Sequence, residues 1–378
     1  MTAAAKRELL NALRPSYLKA SKAEKGRILD GFVAATGYHR KYAIHLLKNG
    51  PPPRRAGQRR AQSPYTAEVV AALVQVWEAS GYLCAKRLQP FMGELLAALE
   101  RHGELGVAPP IRTLLCQMSA ATIDRKLRRA RTRLGRPRGL STTKPGSLLK
   151  AAIPIRTFAD WNEQRLGFVE VDLVAHCGDT TAGLYLNTLC LIDIDTHWCE
   201  LAALPNKGQA ATFAALKALR QQLPFPLLGL DSDNGAEFLN NQLLRYCLAE
   251  QITFTRSRPY QKNDQAHVEQ KNWSAVRRLV GYNRYESPQA LLTAIYADLR
   301  LFLNFFQPTL KLLEKTRQGS HVHKRYQPAQ TPYQRVLASP YLPEADKAAL
   351  RQLYPTLNPL ALQRQMEAHL HQLWHLKL

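Results

Sequence analysis

Five short apolar segments, each about as long as a β-strand, lie in the middle of this 378-residue chain. They span residues 166–174, 184–193, 197–204, 227–232 and 252–255. The first three follow one another with short connections, which indicates an antiparallel meander. Helical patterns accompany the later strands, at 208–222, 236–249, 264–280 and 288–305. This order predicts an α/β fold in which helices flank a mixed five-stranded sheet.

Three acidic residues occupy unusual positions in this region. Asp172 lies inside the apolar run 168–174, and Asp233 lies where a predicted strand runs into the turn Asn234-Gly235. Glu269 lies near the start of a predicted helix. Carboxylates on apolar strands are costly unless something compensates their charge. Divalent metal ions do so and also support phosphoryl chemistry, so the pattern predicts a metal-dependent enzyme that acts on phosphodiesters.

Most other acids of the region have an ordinary structural explanation. Strand alternation places Glu170 on the same sheet face as Asp172, and Asp231 on the same face as Asp233. Turns or helix ends explain four further acids, namely Asp193, Asp195, Glu237 and Asp264. Asp231 therefore stays open as the alternative to Asp233.

The positive charge is concentrated in the N-terminal part of the chain. Residues 1–150 hold 28 Lys and Arg against 9 Asp and Glu, whereas residues 151–378 hold 24 against 20. A net charge of +23 with clustered arginine is typical of a nucleic-acid binder, because each neutralised phosphate releases counterions. A merely soluble basic protein or a membrane-surface binder is the alternative. We expect double-stranded DNA as the partner.

Two helical regions are candidates for DNA binding. Residues 1–50 predict a helix-turn-helix whose second helix begins with Arg40 and Lys41, although a plain helical hairpin fits as well. Residues 65–131 predict a second, similar unit. Its last helix is strongly basic and carries Arg125, Lys126, Arg128 and Arg129. A solvated helix face is the alternative for that helix.

Basic linkers and a C-terminal region complete the predicted organisation. The linker 51–64 carries Arg54 and Arg55, which would follow a DNA backbone or act only as a solvated spacer. The linker 132–155 is rich in Arg, Gly and Pro. A catalytic core is predicted at 156–305 and a mostly helical region at 306–378. Before and on the Glu269 helix, Lys262, Lys271 and Arg277 are further predicted DNA contacts, and Trp273 is predicted to be a core anchor.

The acidic pattern resembles the D,D-35-E pattern of retroviral integrase cores and bacterial insertion-sequence transposases. Sixty residues separate Asp172 from Asp233 and 35 separate Asp233 from Glu269, and Asn272 comes three residues after Glu269. The resemblance covers about residues 160–305. It implies an RNase H-like fold, two Mg²⁺ ions held by the three carboxylates with Mn²⁺ as a substitute, and a homo-oligomer on paired DNA ends. The chain lacks the His/Cys zinc module that opens retroviral integrases, which favours the bacterial branch.

The function expected from this resemblance is that of a DNA transposase. Such an enzyme binds element ends, cleaves at their 3′ ends and joins them to target DNA. An RNase H-like endonuclease without strand transfer is one alternative, and a non-catalytic helix-turn-helix regulator is another. Cysteine spacing, the lack of a signal peptide and the lack of an apolar run of about 18 residues predict a cytoplasmic protein without membrane contact. The resemblance to the bacterial branch implies that it is bacterial and associated with the nucleoid.

Overall fold

The structure, a computed structural model, describes residues 1–51, 63–132, 165–258, 265–318 and 321–377. Its contacts divide the chain into two compact units, Met1–Pro64 and Tyr65–Leu378. Among the helices within the described ranges, none is both long and apolar enough to cross a lipid bilayer.

The described part of the first unit contains three helices, α1 (Ala3–Lys19), α2 (Lys22–Thr36) and α3 (Arg40–Asn49). The predicted capping box begins α2, since Glu24 N donates to Ser21 Oγ and Ser21 N donates to Glu24 Oε2. Gly37 ends α2 at φ 68°, a left-handed conformation that glycine adopts without strain. The helices enclose a small core of Leu10, Tyr17, Leu29, Phe32, Ala43, Leu46 and Leu47.

The second unit begins with four helices that pack together. They are α4 (Ala67–Ala79), α5 (Ala85–Arg101), α6 (Pro109–Gln117) and α7 (Ala120–Thr132). Helix α6 starts with two prolines, which suit a first turn because its N–H groups need no partner inside the helix. Trp77 is buried in this bundle and donates its indole N–H to the carbonyl of Leu83 over 2.9 Å.

The predicted mixed five-stranded sheet is confirmed. Its strands are β1 (Phe168–Ala175), β2 (Asn187–Asp193), β3 (Cys199–Leu204), β4 (Gly229–Ser232) and β5 (Thr253–Arg256). The spatial order is β3-β2-β1-β4-β5. Strands β1 to β3 pair antiparallel, whereas β4 pairs parallel to β1 and β5 pairs parallel to β4. Parallel neighbours need crossover connections, which α8 (Gln209–Gln222) and α9 (Asn241–Ala249) supply.

Both faces of the sheet are covered. Val169, Val171 and Leu230 pack in the core formed with α8 and α9. Cys190 and Ile192 pack in a larger core on the other face, which also contains residues of α4, α5 and α7 and of the helices after the sheet. The alternating residues Glu170 and Asp172 point toward this second face, where the Glu269 helix lies.

Six α-helices and a hairpin follow the sheet in the described ranges. The helices are α10 (Ala266–Lys271), which continues through a π-helical turn (Asn272–Arg277) into α11 (Arg278–Val280), then α12 (Gln289–Phe306), α13 (Pro332–Ala338), α14 (Glu344–Leu353) and α15 (Pro359–His375). The hairpin, β6 (Leu312–Gln318) and β7 (His321–Tyr326), interrupts the predicted helical C-terminal region. Its mixed polar and basic sequence lacks the apolar alternation from which strands are predicted.

Two of the acids set aside above differ in outcome. Asp193 is fully buried, and its carboxylate accepts hydrogen bonds from Thr196 N (2.7 Å), Thr196 Oγ1 (2.6 Å) and Gly167 N (2.7 Å). Its predicted role in a turn is confirmed. Glu237 was expected in the first turn of a helix, which is wrong because α9 begins only at Asn241, where the side chain of Asn240 accepts from Leu243 N.

Candidate active site

Asp172 and Asp233 follow directly on paired residues of neighbouring strands. The parallel register of β1 and β4 ends with Val171 opposite Ser232, so the next residue on each strand is one of the two aspartates. Both side chains are partly exposed. In open α/β sheets, ligands bind beyond the carboxyl ends of the strands, which is where Asp233 lies.

Asp231, the alternative to Asp233, has a structural role. Its side chain is 1% exposed. Its Oδ1 accepts from Thr255 Oγ1 on β5 over 2.6 Å, and its Oδ2 accepts from Gln265 Nε2 over 3.4 Å. These bonds connect β4, β5 and the start of the Glu269 helix, so the geometry favours Asp233 as the carboxylate that faces a ligand.

The environment of the two aspartates disfavours their ionised forms. Burial raises the pKa of Asp172 to about 8, with further contributions from the charges of Asp233 and Glu269. Hydrogen bonds from Leu173 N (2.8 Å) and Asn272 Nδ2 (2.6 Å) oppose this rise in pKa. Burial likewise raises the pKa of Asp233 to about 6, and a 2.9 Å bond from Gly235 N opposes it.

Glu269 reaches this site from α10. The helix and its π-helical continuation face the protein interior with Val268, Lys271, Ala275 and Val276, all of which are buried. Glu269 lies on the exposed side, close enough to Asp172 for its charge to raise that residue's pKa. Trp273 lies on the exposed side as well and is 61% exposed. The prediction that Trp273 anchors the core is therefore wrong, because Trp273 lies on the side of the helix opposite these four buried residues.

Asn272 joins the Glu269 helix to β1. It follows Glu269 by three residues, and its Nδ2 donates to Oδ2 of Asp172 over 2.6 Å. Its Oδ1 is buried and has no hydrogen-bond partner in the part of the chain that the structure describes. The resemblance to integrase cores included Asn272 without giving it a role. The hydrogen bond shows that it orients the Asp172 carboxylate.

Glu170 holds the start of the same helix. Its side chain is fully buried, and Oε2 accepts from Val268 N in the first turn of α10 over 2.8 Å. The first N–H groups of a helix have no partner within it and carry partial positive charge, so a carboxyl group satisfies them well. Burial raises the pKa of Glu170 to about 8, with a further contribution from its strand neighbour Asp231. Strand alternation placed Glu170 on this face, but its partner lies 98 residues away.

Replacing Glu170 by alanine is expected to loosen α10. The change leaves Val268 N without its buried acceptor, which costs about 1–3 kcal/mol of unfolding free energy. Amide hydrogen exchange in 266–271 should become faster than in the wild type. Glu170→Gln, which keeps a carbonyl acceptor, is the matched control and should stay near wild type. Unchanged exchange in the alanine variant would contradict the anchoring role.

The donor chemistry of the site fits Mg²⁺, which prefers carboxylate and other oxygen ligands. Asp172, Asp233 and Glu269 supply such oxygens, and a bound cation would favour the ionised forms of the two aspartates, whose pKa values burial raises. Within the described ranges, no three Asp, Glu, His or Cys side chains are assembled closely enough to hold a metal ion. The exposed Glu269 side chain would therefore have to turn toward the aspartates.

The predicted DNA contacts of the N-terminal regions lie mostly on the surface. Arg40 and Lys41 are exposed at the start of α3, where Arg40 pairs with Asp30. The exposed members on α7 are Arg125, Arg128 and Arg129. Lys126 is partly buried and donates to the carbonyl of Tyr65 over 3.2 Å. Arg54 and Arg55 lie outside the described residues.

The predicted contacts near the glutamate have different surroundings. Lys271 is only 8% exposed, and its positive charge favours the ionised forms of the buried Cys190 and Cys199 thiols, opposing any rise in their pKa. Arg277 is partly buried, with its guanidinium 4.8 Å from the ring centroid of Tyr282. Lys262 lies outside the described residues. We do not retain Lys271 as a proposed contact, because a buried ammonium cannot reach a phosphate without rearrangement.

A histidine pair connects the Glu269 helix to the C-terminal region. The rings of His267 and His197 lie 5.3 Å apart, and Arg335 donates to His197 Nδ1 over 3.2 Å. Burial lowers the pKa of His267 to about 4, with a further contribution from the charge of Lys311. The sequence did not predict this pair, because His197 lies just before β3 and Arg335 lies on α13, both far from His267 along the chain.

Comparison with known proteins gives one close relative in sequence. The chain is 44% identical over 339 residues to the uncharacterized protein y4rM of Sinorhizobium fredii (strain NBRC 101917 / NGR234), covering 88% of this chain and 95% of the relative. No protein-family model matches the chain.

Solved structures similar to part of the chain include retroviral integrase catalytic cores. The HTLV-2 integrase catalytic core domain in complex with magnesium has a TM-score of 0.30 at 16% identity, over 38% of this chain and 88% of that domain. The catalytic core domain of BIV integrase has a TM-score of 0.31 at 20% identity, over 44% and 91%. On the extent and identity of the sequence match, the chain belongs to the same family as the Sinorhizobium fredii protein y4rM.

Proposed function

We propose that this protein is a DNA transposase of the DDE type, a metal-dependent polynucleotidyl transferase with an RNase H-like core. The observation that carries the proposal is that Asp172 and Asp233 directly follow paired residues of two neighbouring parallel strands, and that Asn272, three residues after Glu269, donates to Asp172. Sixty residues separate Asp172 from Asp233 and 35 separate Asp233 from Glu269, so packing of the Glu269 helix against β1 is needed to bring these distant segments near one another. Phosphodiester chemistry accounts for three carboxylates that repel one another.

Each residue of the site has a defined task in this proposal. Asp172, Asp233 and Glu269 would hold two Mg²⁺ ions, with Mn²⁺ as a substitute. Bound metal supplies charge stabilisation of the phosphate and a more acidic attacking hydroxyl or water. Asn272 keeps the Asp172 carboxylate oriented, and Glu170 keeps α10 and thereby Glu269 in place. Water as the attacking group gives end cleavage, whereas a DNA 3′-hydroxyl gives strand transfer.

The basic helical regions would bind the DNA substrate. In this proposal α2 and α3 act as a helix-turn-helix, with Arg40 and Lys41 at the groove, and α7 contributes Arg125, Arg128 and Arg129. Phosphate contacts of this kind position a protein on DNA and make binding salt-dependent. Paired element ends require at least two copies, so we infer a homo-oligomer on DNA in the bacterial nucleoid.

Strand-transfer assays test the proposal directly. The full chain is mixed with supercoiled plasmid and with duplexes from the DNA that flanks its coding region, some carrying a pre-cleaved 3′-hydroxyl. We expect joined products with Mg²⁺ or Mn²⁺ and none with EDTA, because the carboxylates cannot act without metal. Metal-dependent nicking without joining would instead support an endonuclease. Binding without nicking would support a regulator.

A further inference from the structure

The hairpin of β6 and β7 has no structural explanation within the hydrophobic cores. Every described side chain of the hairpin is exposed, at 312–318 and 322–326. An isolated two-stranded hairpin is only marginally stable in water unless it packs on something. A hairpin that buries none of these side chains therefore points to a partner outside this chain.

The two faces of the hairpin differ in charge. Paired residues share a face, so Lys315 lies opposite Lys324, and Arg317 lies opposite Val322 on the same side. This cationic face carries no acid. The opposite face has the pair Glu314 and Arg325, whose Oε2 and Nε lie 3.7 Å apart, and it also carries Thr316 and His323. Directly opposed like charges destabilise a hairpin, and a polyanion would offset the cost of the two lysines.

The root of the hairpin is fixed beside the candidate active site. Thr309 and Gln330 exchange backbone hydrogen bonds of 2.8 and 3.2 Å just before β6 and after β7. Arg335 donates to the carbonyl of Thr309 over 2.8 Å. Thr309 also contacts His197 (2.9 Å), whose ring lies against His267 in the first turn of α10. The hairpin thus extends from the neighbourhood of the Glu269 helix.

We propose that this hairpin is a β-ribbon that binds backbone phosphates of double-stranded DNA through Lys315, Arg317 and Lys324. The idea rests on the proposed function and adds a DNA-binding element to it, whose root lies near the Glu269 helix. A two-stranded antiparallel ribbon fits the major groove, where its long basic side chains reach the flanking phosphates. A second copy of the same chain is a poor occupant, because two cationic faces repel each other.

Binding measurements with variants of equal net charge test the ribbon. Lys315→Gln with Lys324→Gln removes two charges from the cationic face. Thr316→Glu with Gln318→Glu changes the net charge equally on the opposite face. Fluorescence anisotropy of a labelled duplex is followed at several salt concentrations in EDTA, so that no metal-dependent step contributes.

The lysine variant is expected to reduce the slope of log K against log salt by about 1.8 in magnitude, because two phosphate contacts are lost. At about 0.1 M salt this corresponds to binding weaker by up to about 60-fold. The glutamate variant should keep the wild-type slope. The variant Lys315→Arg with Lys324→Arg should bind like the wild type, because both positive charges remain. Equal slopes for the lysine and glutamate variants would overturn the proposal.

The outcome is separable from that of the proposed function. Wild-type binding by the lysine variant, together with metal-dependent strand transfer by the wild type, would refute the ribbon alone. If the lysine variant has a reduced salt slope but the wild type never cleaves DNA, the proposed transferase function is refuted and the ribbon is supported. Sedimentation of each variant tests whether the cationic face instead binds a second copy of the chain. Loss of an oligomer in the lysine variant, with an unchanged salt slope for DNA binding, would support that alternative and overturn the proposal.

Discussion

Replacing Asp172 by asparagine is expected to lower metal-dependent DNA cleavage by at least about 10³-fold. Asparagine has nearly the same shape and keeps one acceptor oxygen for Leu173 N, so the fold around β1 should persist. It removes the charge that a bound metal requires and leaves a neutral amide beside Asp233 and Glu269. The effect should fall on the chemical step and spare DNA binding.

Plasmid nicking under single-turnover conditions measures the chemical step, and duplex anisotropy measures binding. Asp179→Asn is the matched control, because Asp179 is an exposed acid in the turn after β1 and should tolerate the change. Cleavage by Asp172→Asn at the wild-type rate would refute the proposed role of the carboxylate. Loss of DNA binding in the same variant would show that its effect is structural.

Replacing Arg300 by methionine is expected to cost about 3–5 kcal/mol of unfolding free energy. Glu200 on β3 is fully buried and accepts from Arg300 Nη2 over 2.7 Å, from Arg300 Nε, and from Trp198 Nε1 over 2.8 Å. Burial raises the pKa of Glu200 even with the guanidinium present. Without Arg300, a buried carboxyl group would lose its countercharge, and α12 would lose one of its polar links to the sheet, although the bonds of Asn304 to Cys199 would remain.

Urea denaturation measures this loss, provided that the m-value stays at that of the wild type. The exposed pair Arg351 and Glu344 is the control, and Arg351→Ala should cost about 1 kcal/mol or less because solvent screens it. Glu200→Met combined with Arg300→Met should recover most of the stability, since no buried charge then remains. A single variant as stable as Arg351→Ala would show that water reaches Glu200.

Much of the sheet and of the acidic pattern is predictable from local sequence. The strand containing Asp172 was predicted at 166–174 and is observed at Phe168–Ala175, because the apolar run and its flanks identify it. The same alternation placed Glu170 and Asp172 on one face of the sheet. The hairpin was not predictable in this way, since strands with all described side chains exposed leave no periodic apolar signal.

The choice between Asp231 and Asp233 shows where local sequence is insufficient. Both lie two residues apart on one face, and only the contacts of Asp231 with Thr255 and Gln265 show that it serves the structure. Trp273 is a second case, since its helical spacing from Glu269 suits either a buried or an exposed position. Which side of that helix packs inward depends on what the sheet presents to it.

The sequence by itself determined the order of strands and helices, the uneven charge and the three acids at family-like spacing, because periodicity and composition are local properties. Only the tertiary structure decided that Glu170 holds the helix of Glu269, that Asn272 orients Asp172, and that a basic hairpin begins beside them. Those contacts join residues about 100 positions apart, and the packing of helix against sheet brings them together.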